Sequence, residues 1–176
     1  MSDPSPHFRR FTDPNRFTVG AIGEPGSRVF YFQLFAEGGE INLKCEKQQA
    51  AALAERVVSL LADLPVDPAM ALADHVAPVE ALPPTTIEWP VGSISIGIDW
   101  EHTRVVVVFE EMVMADEDDE DLLASINPSK VQVHLTPDQV RGFSEQVDAL
   151  TGQSRPICRL CGQPIDPTGH ACPRLN

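Results

Sequence analysis

Positive charge is scarce in this chain. Thirteen lysines and arginines face 26 aspartates and glutamates, a net charge of −13. Affinity for nucleic acid rests on neutralising backbone phosphates, so a polyanion of this kind is a poor partner for DNA or RNA. Anionic membrane surfaces are disfavoured for the same reason. The charge reads instead as a solvated surface that keeps the protein soluble. Long hydrophobic runs are also missing, since no stretch of about 18 apolar residues exists and no membrane span is expected. The N-terminus MSDPSPHFRRF lacks the apolar core of a secretory leader, which points to a cytoplasmic protein. Cysteine is rare as well, with four residues in the chain, three of them between 158 and 172. In a reducing compartment such a cluster reads as a metal or catalytic site rather than a disulfide framework. No Ser-His-Asp or Cys-His catalytic signature is recognisable.

What the sequence does contain is a pattern met twice. Residues 1–16 carry Pro4, Pro6 and Pro14 and read as an irregular N-terminal arm. Its Arg9, Arg10 and Arg16 either dock on the acidic body or are solvated. Residues 17–64 then give two β-rich runs around Gly23–Ser27, a third strand INLKCEK, and a helix. In INLKCEK, Ile41, Leu43 and Cys45 fall on one face and Asn42, Lys44 and Glu46 on the other, the alternation of a half-buried strand. The helix has an apolar stripe of Leu53, Val57, Leu60, Leu61 and Leu64. Residues 65–90 hold six prolines and read as a connector, with one helical turn near Met70–His75. Residues 91–152 repeat the plan: two strands around a turn at Trp100–Thr103, a strand KVQVHL, and a helix. Thr136 fits the N-cap of that helix, Pro137 its first position, Gln139 the capping-box partner and Gly152 its end.

The two halves superpose in sequence. SRVFYF from Ser27 lies over TRVVVV from Thr103, and INLKCEKQQ from Ile41 lies over VQVHLTPDQ from Val131. Inward and outward parity agrees along both strands, and Leu53 and Val57 match Phe143 and Val147. The length difference falls in an acidic insertion, 112–128. The expected fold class is therefore α+β, a duplicated β-β-β-α unit in which each antiparallel meander is followed by a helix. Cys45 then takes the core position of Leu135 and behaves as a small hydrophobe. RVFYFQLF and RVVVVFEE are apolar on both faces, so each needs a cover on its second side. The sister sheet, the connector or a second copy of the chain would supply it, which makes a homo-oligomer one expectation.

Residues 153–176 form the tail, where Cys158-x2-Cys161 is followed by His170-x-Cys172. Zinc takes four nitrogen or sulfur ligands in a tetrahedron, and structural sites draw all four from protein. Cys158, Cys161, His170 and Cys172 meet that count, so a structural zinc is the first reading. A catalytic zinc would require one of the four to be a bystander. A redox pair would normally open a helix after a strand, whereas Cys158-x2-Cys161 stands between Pro156 and Gly162.

Other candidates read more plainly. Gly23–Ser27 resembles an anion-cradling turn but lacks the lysine and helix of a phosphate loop, leaving a hairpin turn. Asp116–Asp121 lacks the alternation and central glycine of a calcium loop and reads as a solvated insertion or a docking loop for a basic partner. Asp99, Glu101 and His102 cluster at a turn beside Trp100 and Arg104, a possible acid–base set in a segment that is polar anyway. His134 reads as solvated.

RFTVGAIGEPGSRVFYFQ near the start and CRLCGQPIDPTGHACPR at the end together resemble an uncharacterised actinobacterial family, a domain of unknown function numbered 3090. VGSISIGIDWEHTRVVVVFEE resembles that family's second sheet. The resemblance implies a bacterial cytosolic protein with a zinc-type tail, and it carries over no catalytic residue. The functional expectation is a non-catalytic interaction or adaptor protein with a protein partner or a second copy of itself. The alternatives are an enzyme with its site in the cleft between the halves, or a thiol or metal redox sensor.

Overall fold

The computed structural model describes residues 7–65, 78–114, 127–152, 158–161, 165 and 170–174. Strand β1 is Phe8–Phe11, β2 Arg16–Ile22, β3 Val29–Ala36 and β4 Gly39–Cys45, and helix α1 follows at Lys47–Leu61. Then come β5 at Val91–Asp99, β6 at Arg104–Glu111, β7 at Lys130–Leu135 and helix α2 at Pro137–Gly152. The helical turn expected near Met70–His75 and the acidic run Asp116–Asp121 lie outside the described residues.

The elements form a mixed α+β fold with two sheets and two helices. β2, β3 and β4 make one antiparallel meander, and β5, β6 and β7 make another. β1 joins the second sheet in parallel to β7, with Phe8 opposite Lys130 and Phe11 opposite Val133. The irregular arm expected over 1–16 is corrected here, because FRRF within it is a strand. Four residues are too short for alternation to show, and the partner lies far away in sequence.

Alternation places the core. Phe17, Val19, Phe30, Phe32, Leu34, Ile41 and Leu43 project from one sheet, and Val105, Val107, Phe109, Val131, Val133 and Leu135 from the other. α1 adds Ala50, Leu53, Ala54 and Val57, and α2 adds Val140, Phe143 and Val147. All belong to a single cluster. Cys45 lies in it too, where its sequence counterpart Leu135 also lies. Where the two meanders meet, the space is filled by four rings. Phe17 lies 4.9 Å from Phe143 and Phe32 lies 4.9 Å from Phe109, centroid to centroid.

Both helices start on a glutamine that works in two directions. The Thr136 N–H donates to Gln139 Oε1 at 3.0 Å, and the Gln139 N–H donates to Thr136 Oγ1 at 3.1 Å, the reciprocal box read from the sequence. At α1 the Glu46 N–H donates to Gln49 Oε1 at 2.9 Å. Each amide nitrogen then reaches across to the other half. Gln49 Nε2 donates to the Val91 carbonyl at 3.1 Å, and Gln139 Nε2 donates to the Pro14 carbonyl at 2.6 Å. Each helix start is thereby tied to the backbone at or just before the first strand of the opposite meander.

The second face of β3 is covered by the connector. Residues 78–90 cross it as a strap, donating from the Glu88 N–H to the Asn42 carbonyl and accepting at the Trp89 carbonyl from the Lys44 N–H, each at 2.9 Å. The strap thus also closes the open edge of β4. Thr18 Oγ1 donates to the Val79 carbonyl and Tyr31 Oη to the Leu82 carbonyl. Gln33, 0% exposed, clasps the Leu82 peptide from both sides. Its Nε2 donates to the Leu82 carbonyl at 3.0 Å and its Oε1 accepts the Leu82 N–H at 2.7 Å. Asn42 donates to the Thr86 carbonyl at 2.8 Å. Asn42 is therefore buried, not outward as the alternation of INLKCEK suggests, because the strap offers carbonyls where water was expected. Gly20 lies beneath the same strap, where a Cβ would overlap the Tyr31 ring and the Ala81 methyl. Gln33→Ala is expected to lower stability by about 1–3 kcal/mol, since it leaves the Leu82 N–H without its partner in a covered site while Tyr31 still holds the carbonyl. A urea midpoint equal to that of the native chain would show that water replaces the clasp.

Candidate metal centre

The tail brings its four candidate ligands together. One ligand atom from each of Cys158, Cys161, His170 and Cys172 lies within 4.8 Å of the others. Cys158 and Cys172 are buried, and Cys161 and His170 are partly so. Cys158 Sγ and Cys172 Sγ stand 3.8 Å apart. That is far beyond a disulfide bond of about 2.05 Å. It equals the edge of about 3.8 Å that Zn–S bonds of about 2.3 Å impose in a tetrahedron. His170 Nε2 lies 3.0 Å from Cys161 Sγ, which identifies the nitrogen that would face an ion. The Arg174 guanidinium donates to the Leu160 carbonyl at 3.0 Å, tying the chain after the last ligand to the turn between the first two.

The electrostatics suit a cation. The backbone N–H groups of Cys161 and Leu160 point at the Cys158 sulfur and pull its thiol down to about 6, against the opposing effect of burial. A thiolate is the form that ligates metal. Three sulfurs and one imidazole make a soft donor set, and four protein donors leave no position open for water. Among the described residues, this is the one group of three or more such side chains close enough to share an ion.

A second polar cluster occupies the outer face of the four-stranded sheet. Arg10, Thr12, Asp99, His102, Arg104 and His134 line one cavity of about 490 Å³. Every strand of that sheet, or the turn beside it, contributes. Asp99 ends β5 and pairs across the hairpin with Arg104 of β6. His134 sits on β7 opposite Val106, and Arg10 on β1 opposite Gln132. His102 stands in the turn, which Thr103 closes in the left-handed region with φ 54°. Asp99 is the hub. Its Oδ2 lies 3.0 Å from His102 Nδ1 and 3.4 Å from His134 Nδ1, and its Oδ1 accepts the His102 backbone N–H at 3.2 Å. Burial works against the Asp99 charge, but the His102 hydrogen bonds and the two histidines outweigh it and hold its pKa below the usual value. Gln132 Nε2 lies 2.8 Å from His134 Nε2. An amide N–H donated there leaves the proton of a neutral His134 on Nδ1, facing Asp99.

The structure thus gathers all four tail residues named from their spacing. It also joins Asp99, His102 and Arg104 of the turn to two residues that sequence reasoning left apart. His134 reads as solvated in the sequence, yet its side chain is 13% exposed and shared between Asp99 and Gln132. Arg10 belonged to a supposed irregular arm and gains its place only because β1 is a strand. Glu101 is not among the residues lining this cavity. The Gly23–Ser27 segment is a hairpin turn between β2 and β3, with the Ser27 N–H donating to the Glu24 carbonyl at 2.9 Å. Among the described residues, no helix is long and apolar enough to cross a membrane.

The chain belongs to the family described as protein of unknown function (DUF3090), which matches residues 9–172, from β1 to the last metal-site cysteine. No curated protein and no solved structure matches it.

Proposed function

We propose that this is a non-catalytic cytoplasmic interaction protein whose C-terminal tail is folded around one structural zinc ion. The observation that carries the reading is the convergence of three sulfurs and an imidazole nitrogen within 4.8 Å on a segment none of whose described residues joins the core cluster. Metal binding would then supply most of the tail's folding free energy. The role of the ion is to order a docking surface, and Leu160, exposed on the turn between the first two ligands, is the apolar residue it would present. The body beneath is read as a duplicated β-β-β-α unit. Supporting this are the repeated element order and the reciprocal reach of Gln49 and Gln139 across the two halves.

The test is metal content on the untagged chain, with Cys158→Ser and Cys172→Ser beside it. About one zinc per chain is expected, falling to near zero in both variants while the circular dichroism of the body is retained. A binding partner captured by the loaded chain should be lost with Cys158→Ser. Four freely titrating thiols and no metal in the native chain would end the zinc reading. Capture of the same partner by both chains would end the docking role.

A further inference from the structure

The cavity on the outer face of the four-stranded sheet plays no part in the zinc reading, and its chemistry is different. Two of its walls are arginines, Arg10 and Arg104. Three other cations of the body pair with carboxylates, Arg9 with Glu88, Lys130 with Glu110 and Arg141 with Asp138. Among the described residues, neither Arg10 nor Arg104 has such a partner. Arg10 lies over the Phe8 ring, and Arg104 reaches only the His102 carbonyl, at 3.4 Å. In a chain of net charge −13, two guanidinium groups without carboxylates, aimed into one cavity, are a local reversal of sign.

The one carboxylate present does not cancel them. Asp99 is engaged by the His102 ring, the His102 backbone N–H and the His134 ring. Holding His102 by Nδ1 turns its Nε2 away from the carboxylate. That side chain is 66% exposed, so the nitrogen is available to a ligand. The Thr12 hydroxyl lines the same wall. Guanidinium forks, an imidazole edge and a hydroxyl are the donor set that tetrahedral oxyanions take, arginine above all because its planar fork matches two oxygens at once.

We infer that Arg10 and Arg104, with His102 and Thr12, form a binding site for a phosphate dianion, carried as the terminal group of a small phosphomonoester. The volume of about 490 Å³ argues for the ester over the free ion, because it falls in the range of small-molecule sites and far exceeds a lone phosphate. Asp99 is a positioning residue that fixes the two imidazoles.

The experiment is calorimetric titration of the full-length native chain at low ionic strength, with phenyl phosphate and with inorganic phosphate. Trp100 fluorescence gives a second readout, because this side chain is 62% exposed in the turn that carries His102, whereas Trp89 is buried. Saturable binding to one site is expected. It should weaken about tenfold or more in Arg10→Gln and in Arg104→Gln, and stay unchanged in Arg28→Gln, which lies in the hairpin connection of the other sheet. Thermal melts that match the native chain establish that the variants fold. Tighter binding of phenyl phosphate supports the ester as ligand, and equal or tighter binding of inorganic phosphate overturns the ester. No saturable binding of either probe overturns the inference. So does binding that both arginine variants retain, or binding that needs an added divalent cation.

Discussion

Phe143→Ala is expected to lower the free energy of unfolding by about 3–5 kcal/mol, the usual cost of removing a buried phenyl ring. The ring is 0% exposed and sits on α2 against two rings of the first meander. It lies 4.9 Å from Phe17 and 6.1 Å from Phe32, and those two in turn touch Phe109 of the other sheet. Four rings from four elements cannot collapse into the space one of them leaves without moving a strand or a helix, so the cavity term is near its maximum. Domains of this size are stable by about 5–15 kcal/mol, so the variant loses a large share of its margin. Urea denaturation followed by circular dichroism checks this. A loss below about 1 kcal/mol would mean that the two meanders are not held together through this cluster.

The second large effect concerns Cys45. Burial pushes its thiol up to about 12, and the neighbouring Glu46 charge adds to the rise. An unfolded cysteine titrates near 8.5, so at pH 8 the native thiolate population falls roughly a thousandfold below that of an open chain. After chelation of the tail, three thiols should react promptly with a disulfide reagent, and Cys45 should wait for unfolding. The same shift predicts a sign for stability. Above pH 8.5 the unfolded chain sheds a proton that the folded chain keeps until about 12, so the unfolded state binds fewer protons and stability falls as pH rises. The slope contributed by this residue approaches about 1.4 kcal/mol per pH unit within that window. Cys45→Ala should flatten the alkaline limb of the curve. Four thiols reacting together in the native chelated chain would show that the core admits reagent at Cys45.

Much of this molecule is written locally, and those parts are legible. The alternation around Val105–Phe109 places the central strand of the second meander because parity decides which side chains are buried, while Phe30–Leu34 is buried on both faces, as a run apolar on both sides requires. The Thr136 and Gln139 pair marks a helix start because the capping box needs only four consecutive residues. The tail cluster is legible because three thiols and an imidazole at short spacing match the donor count of a tetrahedral metal site. What could not be read depends on residues far apart. Asn42 looks like a solvent-facing position until a strap some 40 to 50 residues further on supplies a partner for it and for Gln33. His134 looks solvated until Asp99 and Gln132 are brought beside it by register. Arg10 has no assigned place until FRRF finds β7. In each case the local pattern gives the direction of a side chain and leaves open what it meets.

The pairing of β1 with β7 has a temporal consequence. Phe8–Phe11 leaves the ribosome about 120 residues before its partner Lys130–Leu135. The Pro14 carbonyl waits for Gln139 and the Val19 carbonyl for Gln146. The earlier meander can assemble during synthesis, but β1 and the face that receives α2 stay open until β7 and α2 have emerged. Closure is a late, long-range event of the kind that makes folding slow, and the nascent chain carries exposed apolar surface in the interval.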